Sequence, residues 1–539
     1  MSVRPPTGFR GVFRTDDDAR AVYSEAAGIG RAWPVAVAVP VDADDVVTLV
    51  RWARDGGHPL IPRGSGSGMC GGAVGPGVIA DVSRLRALGA PDMIGRGIRA
   101  ECGVLCGDVA RAAARVGLRF PVDPSSGEFC TVGGMASTNA AGPHSLKLGA
   151  MRPWVTALEG VFDDGTRATI RRGAPHPNVA ALSRFMSDAH PRIAAANRAT
   201  LTRAGVLKDS SGYGLGAYAE SGDLVELLVG SEGTLMIVTA VELALAPAAQ
   251  ATRSLLLAFA DLEAAVETAV AAREAGAVAC ELLDRTFLGV ARTAGRPLPV
   301  SADTEAVLLI KIEAMSEAKV AAASNRLRET LRPFGATTEQ LASNVQSEGD
   351  LWAFRHAASP ALARLDPGLK SMQFIEDAAV PPRSVAAYVN GVRRILAENG
   401  TAVVIFGHAG DAHIHVNPLV EVSDARWRER VDRILQDVTA LVVELGGTLS
   451  GEHGDGRLRA PLLARTWSTE AMDLFGLVKR AFDPRGVFNP GAKIALGGQR
   501  AIEDVKYDPA LPALPAAARR ALDTVERDRA YSQLRLDLL

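Results

Sequence analysis

Three glycine-rich segments in the first half of the chain constrain its fold more than any other feature. They are PRGSGSGMCGG at 62–72, FCTVGGMASTNAAG at 129–142 and GSEGTLMIVT at 230–239. Glycine lets the backbone adopt left-handed dihedrals and point several N–H groups at one anion. None of the three is a GxGxxG that opens a helix or a lysine-containing P-loop. Together they predict an α/β region that surrounds one extended, phosphate-containing ligand.

The chain has 539 residues, which is too long for one hydrophobic core. Strand and helix patterns alternate to about residue 245, the composition shifts near Pro247, and strand–helix repeats follow. We predict a first domain at 1–247 and a second α+β domain with a largely antiparallel sheet at 248–455. A segment at 456–498 is expected to return to the first domain. Residues 499–539 form a polar tail. It either lies along the protein surface or mediates assembly, and the sequence leaves both open.

Charge, cysteine usage and hydropathy exclude several classes of protein. The formal net charge is −2 and no polybasic run is present, so no nucleic-acid partner is expected. The five cysteines form no CxxC pair, which argues against a disulfide framework and an iron–sulfur cluster. The sequence has no apolar run of about 20 residues, and we expect no membrane span and no signal peptide. We predict a cytoplasmic protein, with peripheral attachment at the inner face of the membrane through a partner left open.

Three of the nine histidines lie in one segment, GHAGDAHIHVNP at 407–418. An apolar strand precedes it, and a turn at AGDA would return the chain as HIHVN, with His413 and His415 on one side of the second strand. His408 would approach from across the turn. The carboxylate of Glu452, in GEHGDG at 451–456, completes a donor set suited to Zn²⁺ or Mn²⁺ with an open position. The alternative is a polar loop whose histidines are hydrogen-bonded within the protein.

The order of the glycine-rich segments resembles the FAD-binding domain of the vanillyl-alcohol oxidase and p-cresol methylhydroxylase (PCMH) superfamily. GSEGTLMIVT is close to a GSEGTLGIVT pattern, with Met236 in place of Gly, and DPRGVFNPGAKI at 483–494 resembles DPxGxxNPGK. The first loop contains no histidine, and Cys130 is offset by one position from a cysteinyl link, so we predict non-covalent FAD. The resemblance implies that the cofactor is bound by Arg63, Gly64, Ser65, Gly66, Ser67, Gly68, Gly71, Gly133, Gly134, Ser137, Thr138, Asn139, Gly142, Glu232, Gly233, Ile237 and Asn489.

The histidine-rich segment also resembles the GHxGDGNxHxN pattern of the FAD-linked D-2-hydroxyacid dehydrogenases, and GEHGDG resembles their GEHGIG. This implies an α+β fold, a PCMH-type FAD-binding domain followed by a ferredoxin-like α+β substrate (cap) domain with a mainly antiparallel sheet. It implies metal ligands at His408, His415 and Glu452, and a general base at His453. An LWxxR segment and a lysine before ED-V-P imply substrate contacts at Arg355, Ser359, Lys370 and Asn417.

Four positions depart from those patterns. His413 stands where Asn is usual. Two roles stay open for it, a fourth metal ligand or a substrate contact. Asp455 replaces Ile, and His356 replaces the Glu that follows the arginine. Met236, noted above, is the fourth.

By this resemblance the chain is an FAD-dependent dehydrogenase that oxidises a D-2-hydroxyacid of the D-lactate, D-2-hydroxyglutarate or glycolate type to the 2-oxoacid. A divalent metal, Zn or Mn, would orient the substrate. Electrons would pass to an external quinone, cytochrome, electron-transfer flavoprotein or iron–sulfur protein. Two alternatives stay open: a metal-independent alcohol or aldonolactone oxidase of the same superfamily, and a flavin subunit of a multi-subunit oxidase. The sequence is compatible with a homodimer and does not identify the hydroxyacid.

Overall fold

The computed structural model describes residues 3–293, 298–342, 344–355 and 368–539. Within these ranges the strands form four sheets. The strands are β1 (Val12–Arg14), β2 (Ala36–Val39), β3 (Leu60–Arg63), β4 (Val78–Asp81), β5 (Gly97–Glu101), β6 (Leu118–Arg119), β7 (Val155–Val161), β8 (Arg167–Arg171), β9 (Ile237–Ala244), β10 (Ala246–Pro247), β11 (Ala251–Phe259), β12 (Ala279–Asp284), β13 (Ala306–Ala314), β14 (Thr338–Ala342), β15 (Leu369–Ser371), β16 (Ala378–Ala379), β17 (Ala402–His408) and β18 (His413–Glu421).

Helices connect and cover these strands. The α-helices are α1 (Asp17–Val22), α2 (Ala43–Gly56), α3 (Cys106–Ala114), α4 (Val132–Thr138), α5 (Ser145–Leu148), α6 (Ala180–Arg184), α7 (His190–Ala195), α8 (Leu215–Ser221), α9 (Val225–Leu228), α10 (Leu262–Glu274), α11 (Arg285–Thr293), α12 (Glu317–Leu331), α13 (Val345–Arg355), α14 (Val385–Glu398), α15 (Trp427–Glu444), α16 (Gly456–Arg459), α17 (Leu463–Thr466), α18 (Thr469–Phe482) and α19 (Ala516–Asp528). None of the helices in the described residues is both long and apolar enough to cross a bilayer.

The first half of the chain contains two four-stranded sheets. In the first, β2, β4 and β3 are parallel and β1 lies antiparallel to β2; in the second, β5, β9, β7 and β8 are all antiparallel. Local sequence signals account for their connections. Asp42 caps α2 through the amides of Asp44 and Asp45, and Gly57, with a left-handed φ of 66°, caps the helix after its last residue. A turn at Asp164–Gly165 joins β7 to β8.

The second half of the chain forms one eight-stranded sheet, ordered β14-β11-β13-β12-β17-β18-β15, with β16 paired to β18. Every pairing in it is antiparallel. The α+β prediction with a mainly antiparallel second sheet is therefore confirmed. β17 and β18 form a hairpin in which His408 lies opposite His413. Both are interior strands of the sheet, and the hairpin holds the histidine-rich segment between β12 and β15.

The C-terminal part of the chain packs on the first half. Buried residues of α18 join the core built by the first two sheets, whereas the second-half sheet has its own core with α10, α14 and α15. The tail is not free: Ala518, Ala521 and Leu522 of α19 pack against α1 and the first sheet. The i, i+3, i+4 spacing of these residues gives α19 one apolar face, which explains why it is buried there.

Candidate functional site

A cavity of about 970 Å³ lies between the glycine-rich loops and the β17–β18 hairpin. Both halves of the chain and the C-terminal tail contribute to its wall. The predicted cofactor residues that line it are Arg63, Gly64, Ser65, Gly66, Ser67, Gly68, Gly133, Gly134, Ser137, Thr138, Gly142, Glu232, Gly233 and Ile237. The predicted ligand, base and substrate residues on the same wall are His408, His415, Glu452, His453, Arg355, Lys370 and Asn417.

Three predicted residues lie off the cavity wall, and a fourth is not described. Gly71 lies off the cavity wall, and its φ of 80° serves a turn against Arg457. Asn139 accepts a hydrogen bond from the Arg152 amide, and Asn489 donates to the carbonyls of Gly72 and Glu232, so both side chains brace loops. Ser359, and with it His356, lies outside the described residues.

The first two glycine-rich loops pack directly on each other. A Cβ at Gly64 would lie 2.2 Å from the Thr131 hydroxyl, and Gly66 adopts a φ of 71°. Arg63 at the end of β3 is buried, and its guanidinium donates to the carbonyls of Tyr23 at 3.2 Å and Glu25 at 3.0 Å. Arg63 therefore braces the loop, while the loop's backbone faces the cavity.

The third glycine-rich loop positions the GEHGDG segment. The carboxylate of Glu232 accepts hydrogen bonds from the amides of Asp455 at 2.7 Å and Gly456 at 2.8 Å, and Lys493 lies 3.1 Å away. Asp455 is buried and accepts from the Gly212 amide and the Lys493 ammonium. Asp455, which replaces the usual Ile, therefore supports the GEHGDG segment from below and does not line the cavity.

Three imidazoles and one carboxylate converge at the cavity edge. His408, His413, His415 and Glu452 are all buried, and each offers one donor atom within 4.8 Å of the others. The Glu452 Oε1 atom lies 3.6 Å from His408 Nε2 and 3.4 Å from His415 Nε2. Imidazole nitrogen with carboxylate oxygen is a donor set that suits a divalent transition metal. The residues present therefore fit the predicted ion.

Each of these rings has a partner on the side away from the convergence point. His408 Nδ1 lies 2.5 Å from Glu281 Oε1, His413 Nε2 lies 2.9 Å from Asp377 Oδ1, and His415 Nδ1 lies 3.1 Å from the Glu376 carbonyl. An acceptor on one ring nitrogen fixes the tautomer and leaves the lone pair on the other nitrogen. The three lone pairs consequently face the space beside Glu452.

A buried lysine neutralises part of this site. Lys208 Nζ lies 2.7 Å from Glu452 Oε2 and 3.8 Å from Asp411 Oδ2. Burial would lower the pKa of Lys208, but the two carboxylates outweigh it and raise that pKa. Burial likewise opposes ionisation of Glu452, yet Lys208 and His408 hold the pKa of Glu452 well below its ordinary value. The ammonium therefore keeps Glu452 in the ionised form that a metal ligand needs.

His453 lies beside the cluster with its ring 26% exposed, at the cavity wall. Its Nδ1 atom lies 2.8 Å from Glu376 Oε2, and its ring stacks on His415 with centroids 5.5 Å apart. Burial disfavours the imidazolium, but Glu376 and Asp377 outweigh it and raise the pKa of His453 well above its ordinary value. Arg459 pairs with Glu376 and keeps that carboxylate charged. The Nε2 atom of His453 lies 3.4 Å from Glu452 Oε1, so the ring stands between the Glu376 and Glu452 carboxylates.

The predicted substrate residues surround the same cavity. Arg355 ends α13, Lys370 lies on β15 and Asn417 lies on β18. Arg355 Nε donates to Glu281 Oε2 at 2.5 Å, and its guanidinium lies 5.2 Å from the Phe406 ring centroid. A carboxylate in the cavity would therefore meet the terminal nitrogens of a guanidinium that Glu281 holds in place.

Sequence reasoning missed the supporting residues. Glu281, Glu376, Asp377 and Lys208 are far from the histidine-rich segment along the chain, and the Glu376–Asp377 pair marked only the position of Lys370. A weak signal exists for Glu281, which is a carboxylate inside the apolar strand β12. The Glu376–Asp377 pair between apolar neighbours is a similar signal, and nothing in the sequence marks Lys208.

Glu281 is bonded to both Arg355 and His408, and its replacement tests this arrangement. Glu281→Gln keeps the size but removes the charge that both partners require. We expect metal affinity to fall about 10–100-fold, the usual cost of losing an outer partner of a ligating histidine, and KM to rise. Chelator competition and steady-state kinetics measure the two effects. Glu305→Gln, which removes a carboxylate paired with Arg393, is the matched control. Unchanged metal affinity in Glu281→Gln would contradict the proposed link.

Two family models match the chain. One is described as an FAD binding domain and matches residues 34–171, and the other, the C-terminal domain of FAD linked oxidases, matches residues 248–492. Glycolate oxidase subunit GlcD of Bacillus subtilis is 30% identical over 91% of this chain and 95% of that protein. D-lactate dehydrogenase of Archaeoglobus fulgidus is 30% identical over 84% and 90%, and D-2-hydroxyglutarate dehydrogenase of Xanthomonas citri is 27% identical over 86% and 91%.

Solved structures share the fold. The 4-ethylphenol oxidase from Gulosibacter chungangensis superposes with a TM-score of 0.66 at 15% identity, covering 89% of this chain and 94% of that chain. An alkyldihydroxyacetonephosphate synthase superposes with a TM-score of 0.63 at 16% identity, covering 89% and 83%. Identities this low establish the architecture alone.

Proposed function

Because the chain belongs to the FAD-linked oxidoreductases of the D-lactate dehydrogenase, D-2-hydroxyglutarate dehydrogenase and glycolate oxidase type, we propose that it oxidises a D-2-hydroxyacid to the 2-oxoacid with a metal-held substrate. The observation that carries this proposal is the convergence of His408, His415 and Glu452 beside His453, on the wall of the cavity that the glycine-rich loops line.

The glycine-rich loops are the proposed site of non-covalent FAD. Their backbone faces the cavity, and their close packing leaves room for a ligand where side chains would otherwise lie. Cys130 also lies on this wall and is a free thiol. When bound, FAD would accept the substrate hydride and the metal ion would act as a Lewis acid toward the hydroxyl.

The protein's own side chains would bind the acid and move its proton. Arg355 and Lys370 supply positive charge for the substrate carboxylate, and Asn417 supplies an amide for a polar group. Glu376 and Asp377 favour the protonated ring of His453, so His453 can act as a base only if the bound metal ion offsets their charge and lowers its pKa. In that state the Nε2 atom would accept the hydroxyl proton. Glu376, on Nδ1, fixes the tautomer and stabilises the imidazolium that forms.

Electrons are proposed to leave through an external acceptor. The five cysteines of the sequence form no CxxC pair, the spacing that an iron–sulfur cluster of this chain would be expected to use. A quinone, a cytochrome, an electron-transfer flavoprotein or an iron–sulfur protein could each serve.

A dye-reduction screen of the FAD-loaded protein tests the proposal. D-lactate, glycolate, D-2-hydroxyglutarate and D-malate are offered with an artificial acceptor, with the L-enantiomers of the chiral acids as controls. We expect at least one acid in the panel to reduce the dye, with any chiral acid turned over preferring the D-form. If no acid in the panel reduces the dye, the proposed reaction is wrong.

A further inference from the structure

We propose that His413 is a fourth protein ligand of the metal ion, in addition to His408, His415 and Glu452. This inference rests on the proposed function, because it concerns the same site. His413 stands at the position where the family resemblance predicts Asn, so the additional imidazole distinguishes this chain from the pattern.

The protonation pattern of His413 leaves a lone pair without a partner. The residue is 0% exposed, and its Nε2 atom lies 2.9 Å from the Asp377 carboxylate. Asp377 also accepts from the backbone amides of Glu452 and His453, so it acts as an acceptor and Nε2 carries the proton. The buried Nδ1 atom then has a lone pair and no hydrogen-bond partner among the described residues. Leaving such a buried acceptor unsatisfied is unfavourable, and a ligand on Nδ1 would remove that cost.

The unpartnered nitrogen faces the proposed metal position. His413 Nδ1 lies 3.9 Å from Glu452 Oε2, and His413 offers a ring nitrogen within 4.8 Å of donor atoms of His408, His415 and Glu452. The His413 ring centroid is 4.6 Å from that of His415 and 5.5 Å from that of His408. Like His408 and His415, His413 has a hydrogen-bond acceptor on one ring nitrogen, Nε2, and turns the other, Nδ1, toward Glu452.

Lys208 offers the competing explanation. Its ammonium lies 2.7 Å from Glu452 Oε2, the same oxygen that His413 Nδ1 approaches. If the ammonium donates to Nδ1, His413 is only a positioning residue. No described residue, Lys208 included, donates a hydrogen bond to Nδ1, and two neighbouring imidazoles present ring nitrogens to the same carboxylate. The arrangement of the three rings therefore favours coordination.

A fourth ligand has a consequence for metal choice. Four protein donors complete the shell of a tetrahedral Zn²⁺ and leave no open position. An ion that accepts six ligands, such as Mn²⁺, keeps two positions for the hydroxyl and one carboxylate oxygen of a hydroxyacid. We therefore infer that the working ion is Mn²⁺ or another six-coordinate divalent ion.

Metal binding to His413→Asn tests the assignment. We expect Mn²⁺ affinity, measured by chelator competition on the FAD-loaded protein, to fall by at least about 100-fold, since even an outer-shell loss costs 10–100-fold. His190→Asn is the matched control, because His190 bonds Tyr218 away from the cavity. His408→Ala separates this inference from the proposed function. If His408→Ala loses Mn²⁺ while His413→Asn retains it, only the fourth ligand is wrong. If the parent protein binds no Mn²⁺, or His408→Ala retains it, the proposed metal site fails together with this inference.

X-ray absorption on the unaltered Mn²⁺-loaded protein provides a measurement that needs no variant. Scattering from three imidazoles is the expected result. Two imidazoles would overturn the assignment, even if His413→Asn fails to fold.

Discussion

Replacing His453 with Asn is expected to lower kcat for the hydroxyacid by about 10²–10⁴-fold, the usual contribution of a positioned general base. Asn can keep a hydrogen bond to Glu376 but cannot take up the hydroxyl proton. KM should change little, because Arg355, Lys370 and the metal ligands are untouched. Steady-state kinetics with an artificial acceptor measure both constants, and the FAD content should equal that of the parent protein.

His58→Asn is the control for this variant. His58 stacks on Trp52 with centroids 4.5 Å apart, and it lies outside the cavity wall. Its replacement should leave kcat unchanged. A His453→Asn enzyme that kept more than about a tenth of the parental kcat would show that another group takes the proton.

Removing the metal ligand His408 is the second change with a large expected effect. We expect His408→Ala to lose the divalent ion and to lower kcat/KM roughly 10²–10³-fold, since a Lewis acid contributes several kcal/mol and 1.36 kcal/mol corresponds to tenfold. FAD should remain bound, because the glycine-rich loops belong to the other half of the chain. Metal content by elemental analysis, together with steady-state rates, checks both expectations.

Glu452→Gln provides an independent check, because it removes a ligand from a different segment. The two variants should behave alike. Excess metal should not return either of them to the parental rate. Activity that survived chelation, His408→Ala and Glu452→Gln would favour the metal-independent alcohol or aldonolactone oxidase instead.

The sequence was most informative where the site is local in the chain. A hairpin sets the side-chain directions in 407–418, so strand alternation alone brought His413 and His415 to one face and His408 across from them. The glycine-rich loops were equally visible, because close approach at Gly64 and a positive φ at Gly66 demand glycine whatever the rest of the fold does.

The sequence was least informative where the site depends on contacts distant along the chain. Glu281 reaches His408 across 127 residues, and Glu376 reaches His453 across 77. Such pairs follow from strand order, which no local pattern specifies. Lys208 joins Glu452 in the same way.

The tail is polar in composition but contains one helix with an apolar face. The residues of α19 that face the first sheet follow helical spacing, which is visible in the sequence. The charged residues of the tail surround this one apolar face. Arg529 and Tyr531 of the tail also line the cavity.

Anaerobic mixing of the FAD-loaded, metal-replete protein with a D-2-hydroxyacid tests metal-assisted oxidation in one turnover. We expect the flavin absorbance to bleach with one equivalent of 2-oxoacid formed. Chelation should slow the bleaching, and restored metal should recover its rate. Bleaching at an unchanged rate after complete metal removal would contradict the metal-assisted mechanism. A flavin that stays oxidised with every D-2-hydroxyacid offered would contradict the proposed reaction itself.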